Sequence, residues 1–382
     1  MTLEVFWIFL RLGLTSFGGP VAHIGYFRSE FVARRRWLDE EAYAGIVGFC
    51  QFLPGPASSQ VAMALGQMRA GAAGLVAAFI GFTLPSALLM ALFAFCLTGD
   101  LANAPWVHGL KLAAVAVVAQ ALWSMARALT PDLLRLGFAV VAAGLALWLP
   151  GEIGQLAAIA LGAALGFALL KPQPVTAMHI AAPRHAAPLL ALFFVLLVAL
   201  PLLARLNHGF ALFDAFYRTG ALVFGGGHVV LPLLQHAVVA PGWIGNAPFL
   251  AGYGAAQAMP GPLFSFAAYL GAAMGGWWTA ALCLLAIYLP SLLLVAGGWP
   301  LWRAVAHRAG LRAALAGINA AVVGLLAAAL WSPVITGAVF GWTDGAIALA
   351  ALFLLMVPKT PSWAVVGFGA VAATLVARIS GA

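Results

Sequence analysis

The sequence predicts an all-α integral membrane protein of two inverted-topology repeats, with broken or re-entrant helices meeting at a midplane site. Three observations carry that prediction. Of 382 residues, 64% are hydrophobic and 7% are charged, whereas an ordinary soluble domain has about a quarter of its residues charged. Landmark residues of the first half recur in the second at an offset near 206 residues. Equivalent loops of the two copies then differ in their basic residues, which is the mark of opposite orientation.

The spans follow from hydropathy. Crossing a bilayer takes about 20 predominantly apolar residues, and apolar runs of that order lie at Leu75–Leu97, Leu110–Leu129, Leu189–Leu203, Trp277–Val295, Ala313–Leu330 and Ala346–Val357. Trp106, Trp148, Trp277, Trp331, Trp342 and Trp363 stand near run ends, as an interfacial aromatic belt requires. From a cytoplasmic N-terminus, two re-entrant pairs are expected near 4–34 and 40–70. Four spans follow near 72–98, 106–128, 134–150 and 153–170, completing a first repeat over 1–170. A proline-rich cytoplasmic linker, 171–187, and an extra span within 188–207 lead to the inverted copy over 208–382 and a C-terminus outside. The sum is about nine spans and four re-entrant hairpins, with a count that treats some hairpins as crossings as the alternative. Glu4 and Arg11 interrupt the first apolar run and no small-residue cleavage site follows it, so that run is expected to be retained.

The repeat is read from spacing. Arg11, Gly13, Phe17, Gly18 and Gly19 correspond to Arg218, Gly220, Phe224, Gly225 and Gly226. Trp37 corresponds to Trp243, Gln51-x-x-Pro54-Gly55-Pro56 to Gln257-x-x-Pro260-Gly261-Pro262, and Pro85-Ser86 to Pro290-Ser291. Short loops rich in Lys and Arg stay cytoplasmic. Arg28, Arg34, Arg35 and Arg36 have no basic counterpart between Gln235 and Pro248, while Arg303, Arg308 and Arg312 face a counterpart near Gly99–Pro105 that carries only Asp100. An inverted repeat of this kind is a frequent construction of secondary transporters.

The chemistry is expected at the breaks. Non-helical backbone at membrane depth persists only where it is buried in protein or lines a cavity. Pro56 suits the first position of a new helix, so Ala57, Ser58 and Ser59 would present N–H groups at a positive dipole end, a ready anion site. Gln51, Gln60 and Gln257 offer neutral donors, and Gly55, Gly261 and Ser265 complete the two Pro-Gly-Pro segments. Arg11 and Arg218 precede each Phe-Gly-Gly break and match a tetrahedral oxyanion; the alternative for each is a structural pair with Glu4 or Asp214. His23 and His228 are candidates for proton coupling, against the plainer reading of packed histidines. The Arg34–Arg36 run reads as topology and lipid-surface charge, and Lys111 as an interfacial anchor. Cys50, Cys96 and Cys283 are scattered at no metal-ligand or redox spacing. No cofactor is expected.

Arg11-x-Gly13-x-x-x-Phe17-Gly18-Gly19-Pro20, Trp37-Leu38, Cys50-Gln51-Phe52-Leu53-Pro54-Gly55-Pro56-Ala57-Ser58-Ser59-Gln60 and the second-half Phe224-Gly225-Gly226-Gly227 and Gln257-x-x-Pro260-Gly261-Pro262 together resemble the chromate ion transporter family in its long, two-domain form. The resemblance covers about 5–125 and 212–330. It implies export of chromate across a bacterial cytoplasmic membrane, chromate resistance, and sulfate as a structural analogue. In the second half Leu263-Phe264-Ser265-Phe266 replaces Ala57-Ser58-Ser59-Gln60, which puts symmetric coordination in doubt.

The expected function is therefore a secondary transporter for chromate, alternating access by moving one repeat against the other under the membrane potential or a proton gradient. The lipid bilayer is its setting, a homodimer is an open expectation, and no nucleic acid is needed to explain the basic loops. A carrier of sulfate or another oxyanion, a channel, and an integral membrane enzyme acting on lipid-linked phosphate are the alternatives. The enzyme would need clustered carboxylates for a metal, and Asp39, Glu40 and Glu41 look like a solvated helix start. A GxxxxGK[ST] motif for ATP is absent from the sequence.

Overall fold

A computed structural model describes residues 1–97, 104–149, 152–171, 186–224, 227–298 and 308–380. Every regular element among them is helical. In the first repeat these are α1 (Thr2–Thr15), α2 (Gly19–Phe27) running into a π-helical turn (Arg28–Arg34), α3 (Glu40–Phe52), α4 (Ala57–Cys96), α5 (Pro105–Leu129), α6 (Leu133–Trp148) and α7 (Glu152–Leu169). The extra helix α8 (Ala186–Leu203) follows. The second repeat has α9 (His208–Leu222), a 3-10 turn (Gly227–Val229), α10 (Val230–Leu234) and a π turn (Gln235–Val239). It continues with α11 (Asn246–Ala258), α12 (Phe266–Gly297), α13 (Ala309–Ala329), α14 (Trp342–Met356) and α15 (Ser362–Ser380). The seven helices of one repeat thus recur in order in the other, down to a π turn after the second helix of each.

Helices occupy all the expected spans and both helix pairs of each repeat. Among the described residues, six helical stretches have the length and apolar composition to cross a bilayer: Ala57–Cys96, Pro105–Leu129, Ala186–Leu203, Leu263–Gly297, Ala309–Ile335 and Ser362–Ile379. The first needs a closer look, because 40 straight residues would run about 60 Å, twice the apolar thickness of a bilayer. The chain reverses instead. Ala70 and Gly71 leave helical geometry, and a side chain on Gly66 would strike the Gly74 carbonyl, two positions that a straight helix keeps roughly 12 Å apart. α4 is therefore a hairpin with a short arm (57–69) and a long arm (72–96). α12 does the same at Gly275 and Gly276, where Gly271 meets Thr279 and Ala280. Such close approach depends on small residues, the usual currency of helix packing in lipid.

Packing divides the molecule into two bundles, and the division cuts across the repeats. In the central bundle α1 packs on α4, α9 on α12, and α4 on α12, with α8 covering α9 and α12. Phe9, Phe27, Phe31 and Phe82 form its aromatic core in the first repeat, with Phe27 and Phe82 centroids 5.2 Å apart. In the outer bundle α13 of the second repeat packs on α6 and α7 of the first, while α5 of the first packs on α14 and α15 of the second. Each repeat thereby lends its last two helices to the other. The linker expected at 171–187 and the basic loop containing Arg303 lie almost wholly outside the described residues.

Candidate functional site

The breaks meet one another. Gly55 donates its N–H to the Val223 carbonyl at 2.6 Å, and Gly261 donates to the Ser16 carbonyl at 2.9 Å. Ser16 and Val223 are the residues before Phe17 and Phe224, so each Pro-Gly-Pro segment docks on the Phe-Gly-Gly break of the other repeat. Reciprocal contact of this form defines an approximate two-fold relation. Gly55 and Gly261 sit at φ of 120° and 92°, the left-handed region that glycine enters freely. A Cβ on Gly55 would also overlap the Ser291 hydroxyl, and one on Gly261 would lie 2.9 Å from that of Ser86. Pro20 and Gly227 touch at the same junction.

Polar side chains gather on the first turn of α4. Gln60 N–H is the first to bond back within that helix, to the Pro56 carbonyl at 3.0 Å, which leaves the N–H groups of Ala57, Ser58 and Ser59 ahead of the helical ladder. His23, fully buried, lies between the Ser58 hydroxyl at 3.3 Å and the Ser16 carbonyl at 3.2 Å. The Gln60 amide donates to the Pro54 carbonyl at 2.6 Å and to the Ser291 hydroxyl at 3.1 Å. Tyr288 stands beside Ser59 and Thr83, with its hydroxyl outside hydrogen-bond geometry to either. Ser86 is satisfied by the Thr83 carbonyl.

The cluster holds more polar capacity than the protein uses. Ser16 Oγ, Ser59 Oγ, Thr83 Oγ1, Gln60 Oε1 and Tyr288 Oη are buried without a close hydrogen-bond partner in the protein. An isolated group of this kind costs about 1–3 kcal/mol, and the adjacency of Ser59, Thr83 and Tyr288 eases that cost among those three. A concentration of that kind fits a place where a polar ligand is received.

The two arginines stand elsewhere. Arg11 donates to Glu30 at 2.7 Å, and Arg34 and Arg35 hold the same carboxylate at 3.1 and 2.6 Å. The partner is thus Glu30 and not the Glu4 expected from sequence; Glu4 takes Arg35 and Arg69, both at 3.6 Å. Arg34 and Arg35, read from sequence as surface charge, turn out to be structural clamps as well. Arg218 pairs with Asp214 and borders a cavity with Gln155 and Thr219.

Among the other sequence candidates, Gln51 is exposed and apart from the cluster, and Gln257 lies near Tyr253. His228 bonds Tyr253 at 3.0 Å and so has a different environment from His23. Ser265 is buried in the 3-10 turn that starts the second hairpin, flanked by Phe264 and Phe266. Gly18 and Gly19 open α2 at positive φ. Gly225 and Gly226 lie outside the described residues. Sequence reasoning missed Ser16, Thr83, Tyr288 and Ser291. The signal for three of them was present in the equivalence of Pro85-Ser86 with Pro290-Ser291, because Thr83 and Tyr288 occupy the same position two residues before each proline.

Paired repeats whose broken helices interlock around buried, unpartnered polar groups, in a chain this apolar, make up an integral membrane transport protein. No solved structure matches the chain. The chromate transporter family model matches residues 3–167 and 210–374, and the chain belongs to that family, among transport proteins and not enzymes. It is 28% identical to a chromate transport protein of Pseudomonas aeruginosa, over 85% of this chain and 79% of that one. It is 27% identical to a chromate transport protein of Cupriavidus metallidurans, over 84% and 80%. An uncharacterized transporter of Bacillus subtilis is 34% identical over 145 residues, 37% of this chain and 73% of its own length.

Proposed function

We propose that the protein exports chromate from the bacterial cytoplasm by alternating access, with the anion held at midplane by the first turn of α4 and the facing long arm of α12. The unpartnered hydroxyls of Ser16, Ser59, Thr83 and Tyr288 carry this reading. All four are free to turn their protons toward an oxyanion, and the N-terminus of the short arm adds a positive dipole end. Neutral donors suit a carried dianion, because a site must bind well enough to load and weakly enough to release. An inside-negative potential favours export by roughly 4.6 kcal/mol per 100 mV for a dianion. The opposed basic loops support the inverted orientation of the repeats, and the short arms of the two hairpins are read as re-entrant.

One repeat moving against the other is the motion expected from sequence. The reciprocal docking of Gly55 and Gly261 and the exchange of outer helices favour a different partition, in which the central bundle shifts within the outer one. Arg11 and Arg218, each held by a carboxylate, are then gate or anchoring residues at a distance from the anion. Sulfate is the same shape and charge and is the analogue to test in competition. The deciding experiment is labelled chromate flux in inside-out vesicles carrying the purified protein, under imposed voltage and pH gradients. Saturable, voltage-sensitive flux that sulfate competes with is expected; flux that never saturates, or none of either anion, would overturn the reading.

A further inference from the structure

We propose that His108 and Asp344 form a proton-binding site that couples anion movement to a proton gradient, a proposal that rests on the transport reading above. His108 Nε2 lies 2.9 Å from Asp344 Oδ1, and the pair joins α5 of one repeat to the first turn of α14 of the other. Its chemistry is unusual within this chain. The other ion-paired carboxylates among the described residues, Glu4, Glu30, Glu40, Asp132 and Asp214, all have arginine partners. A guanidinium never gives up its proton in a protein and keeps its carboxylate ionised. An imidazole facing a carboxylate is different, since its second nitrogen can accept a proton and release it again.

The surroundings hold the pair in place and leave it partly exposed. The second Asp344 oxygen accepts the Phe340 N–H at 2.9 Å, and the Phe340 ring stacks on His108 with centroids 5.9 Å apart. Both groups border a cavity lined otherwise by Pro105, Ile347, Ala373, Val376 and Ala377, with 27% of the histidine and 16% of the aspartate side chain exposed. The charged neighbour is Lys111, one turn further along α5, whose charge reaches Asp344. The remaining contacts on this stretch of α5 are apolar: α11 meets it through Gly254 and Ala255, and α15 through Val366 and Gly369.

A proton taken from the cavity by the imidazole turns a pair of net charge −1 into an imidazolium–carboxylate pair of net charge zero, which draws α5 against α14 and takes from Lys111 the counter-charge of Asp344. The displacement has a direct route to the anion. α11 packs on α5, with Gly254 against the Leu110 carbonyl, and α11 ends at the Pro260–Gly261 break that docks on Ser16. Protonation at the outer bundle is thereby converted into movement at the junction.

The test uses the full chain in liposomes and two assays, chromate–chromate exchange at equal pH and net chromate flux driven by a pH gradient at clamped voltage. Asp344→Asn and His108→Gln are expected to keep native exchange, which also reports correct folding, and to lose the response to the pH gradient. Either variant responding to the gradient as native protein does, or losing exchange in parallel with driven flux, would overturn the proposal. Native protein that exchanges chromate but ignores pH would sink the proton site alone, whereas native protein without exchange would sink the transport reading beneath it.

Discussion

The segments Pro54–Pro56 and Pro260–Pro262 are copies of one loop, and the helices they begin are lined by different chemistry. After the first come Ser58, Ser59 and Gln60, with His23 and Tyr288 close by. After the second come Phe264, Ser265 and Phe266, a buried and mainly aromatic turn. Backbone geometry is kept in both, because each glycine must reach a carbonyl of the other repeat. On the proposed reading one anion needs one set of donors at these turns, and a second polar turn would leave its groups unpaired at about 1–3 kcal/mol apiece. Symmetry here belongs to the scaffold, and of the two turns that follow the breaks only the first is mainly polar.

That contrast makes the scaffold the most sensitive place to strike. Gly55→Ala and Gly261→Ala should do equal damage, since each places a Cβ against a serine hydroxyl of the other repeat and forces a left-handed residue at a cost of roughly 1–2 kcal/mol before any clash. Size-exclusion profiles and flux should both collapse; a Gly261→Ala protein that behaves normally would show the docking to be unequal. Next in size is Ser59→Ala, which removes a hydroxyl donor to a charged ligand and should weaken chromate binding by about 1.5–3 kcal/mol, or roughly tenfold to a hundredfold. Ser265→Ala, its counterpart, should change affinity by less than about threefold. Equal losses from the two serines in a binding titration would refute a one-sided site. Tyr288→Phe comes third, with a loss of about tenfold in affinity and no loss of folded protein. The smallest effect is expected from Arg11→Gln, because Arg34 and Arg35 still hold Glu30; a drop in chromate affinity as large as that of Ser59→Ala would return Arg11 to the binding site.

The fold was legible in the sequence wherever it depended on local rules. Apolar runs located the helices, and glycine and proline in register located the breaks. Ser58, Ser59, Gln60 and His23 could be named as site candidates because they adjoin a break. Thr83 and Tyr288 carried only the fainter signal of a shared position two residues before Pro85 and Pro290, since each lies within a long apolar arm and becomes meaningful when the opposite hairpin is set beside it. Arg11 shows the reverse error of emphasis. An arginine near a break draws the eye as an anion ligand, yet its partner Glu30 sits 19 residues away and is brought back by α2 and its π turn. The exchange of outer helices had no sequence signal, because α5 and α13 are apolar over much of their length and either could have packed within its own repeat.

The hydrogen bonds from Gly55 to Val223 and from Gly261 to Ser16 also constrain how the protein is made. A ribosome that has finished the first repeat has placed Gly55 and Ser16 in the membrane, but the groups that complete them are still to be synthesised. Likewise α5 waits for α14 and α15, the last helices to emerge. The first repeat must therefore persist as an open half, with its breaks and its outer face uncovered, until nearly the whole chain has been inserted. Assembly of this molecule resembles the meeting of two subunits that share one strand of peptide, and its concentration of partner is set by the linker between them.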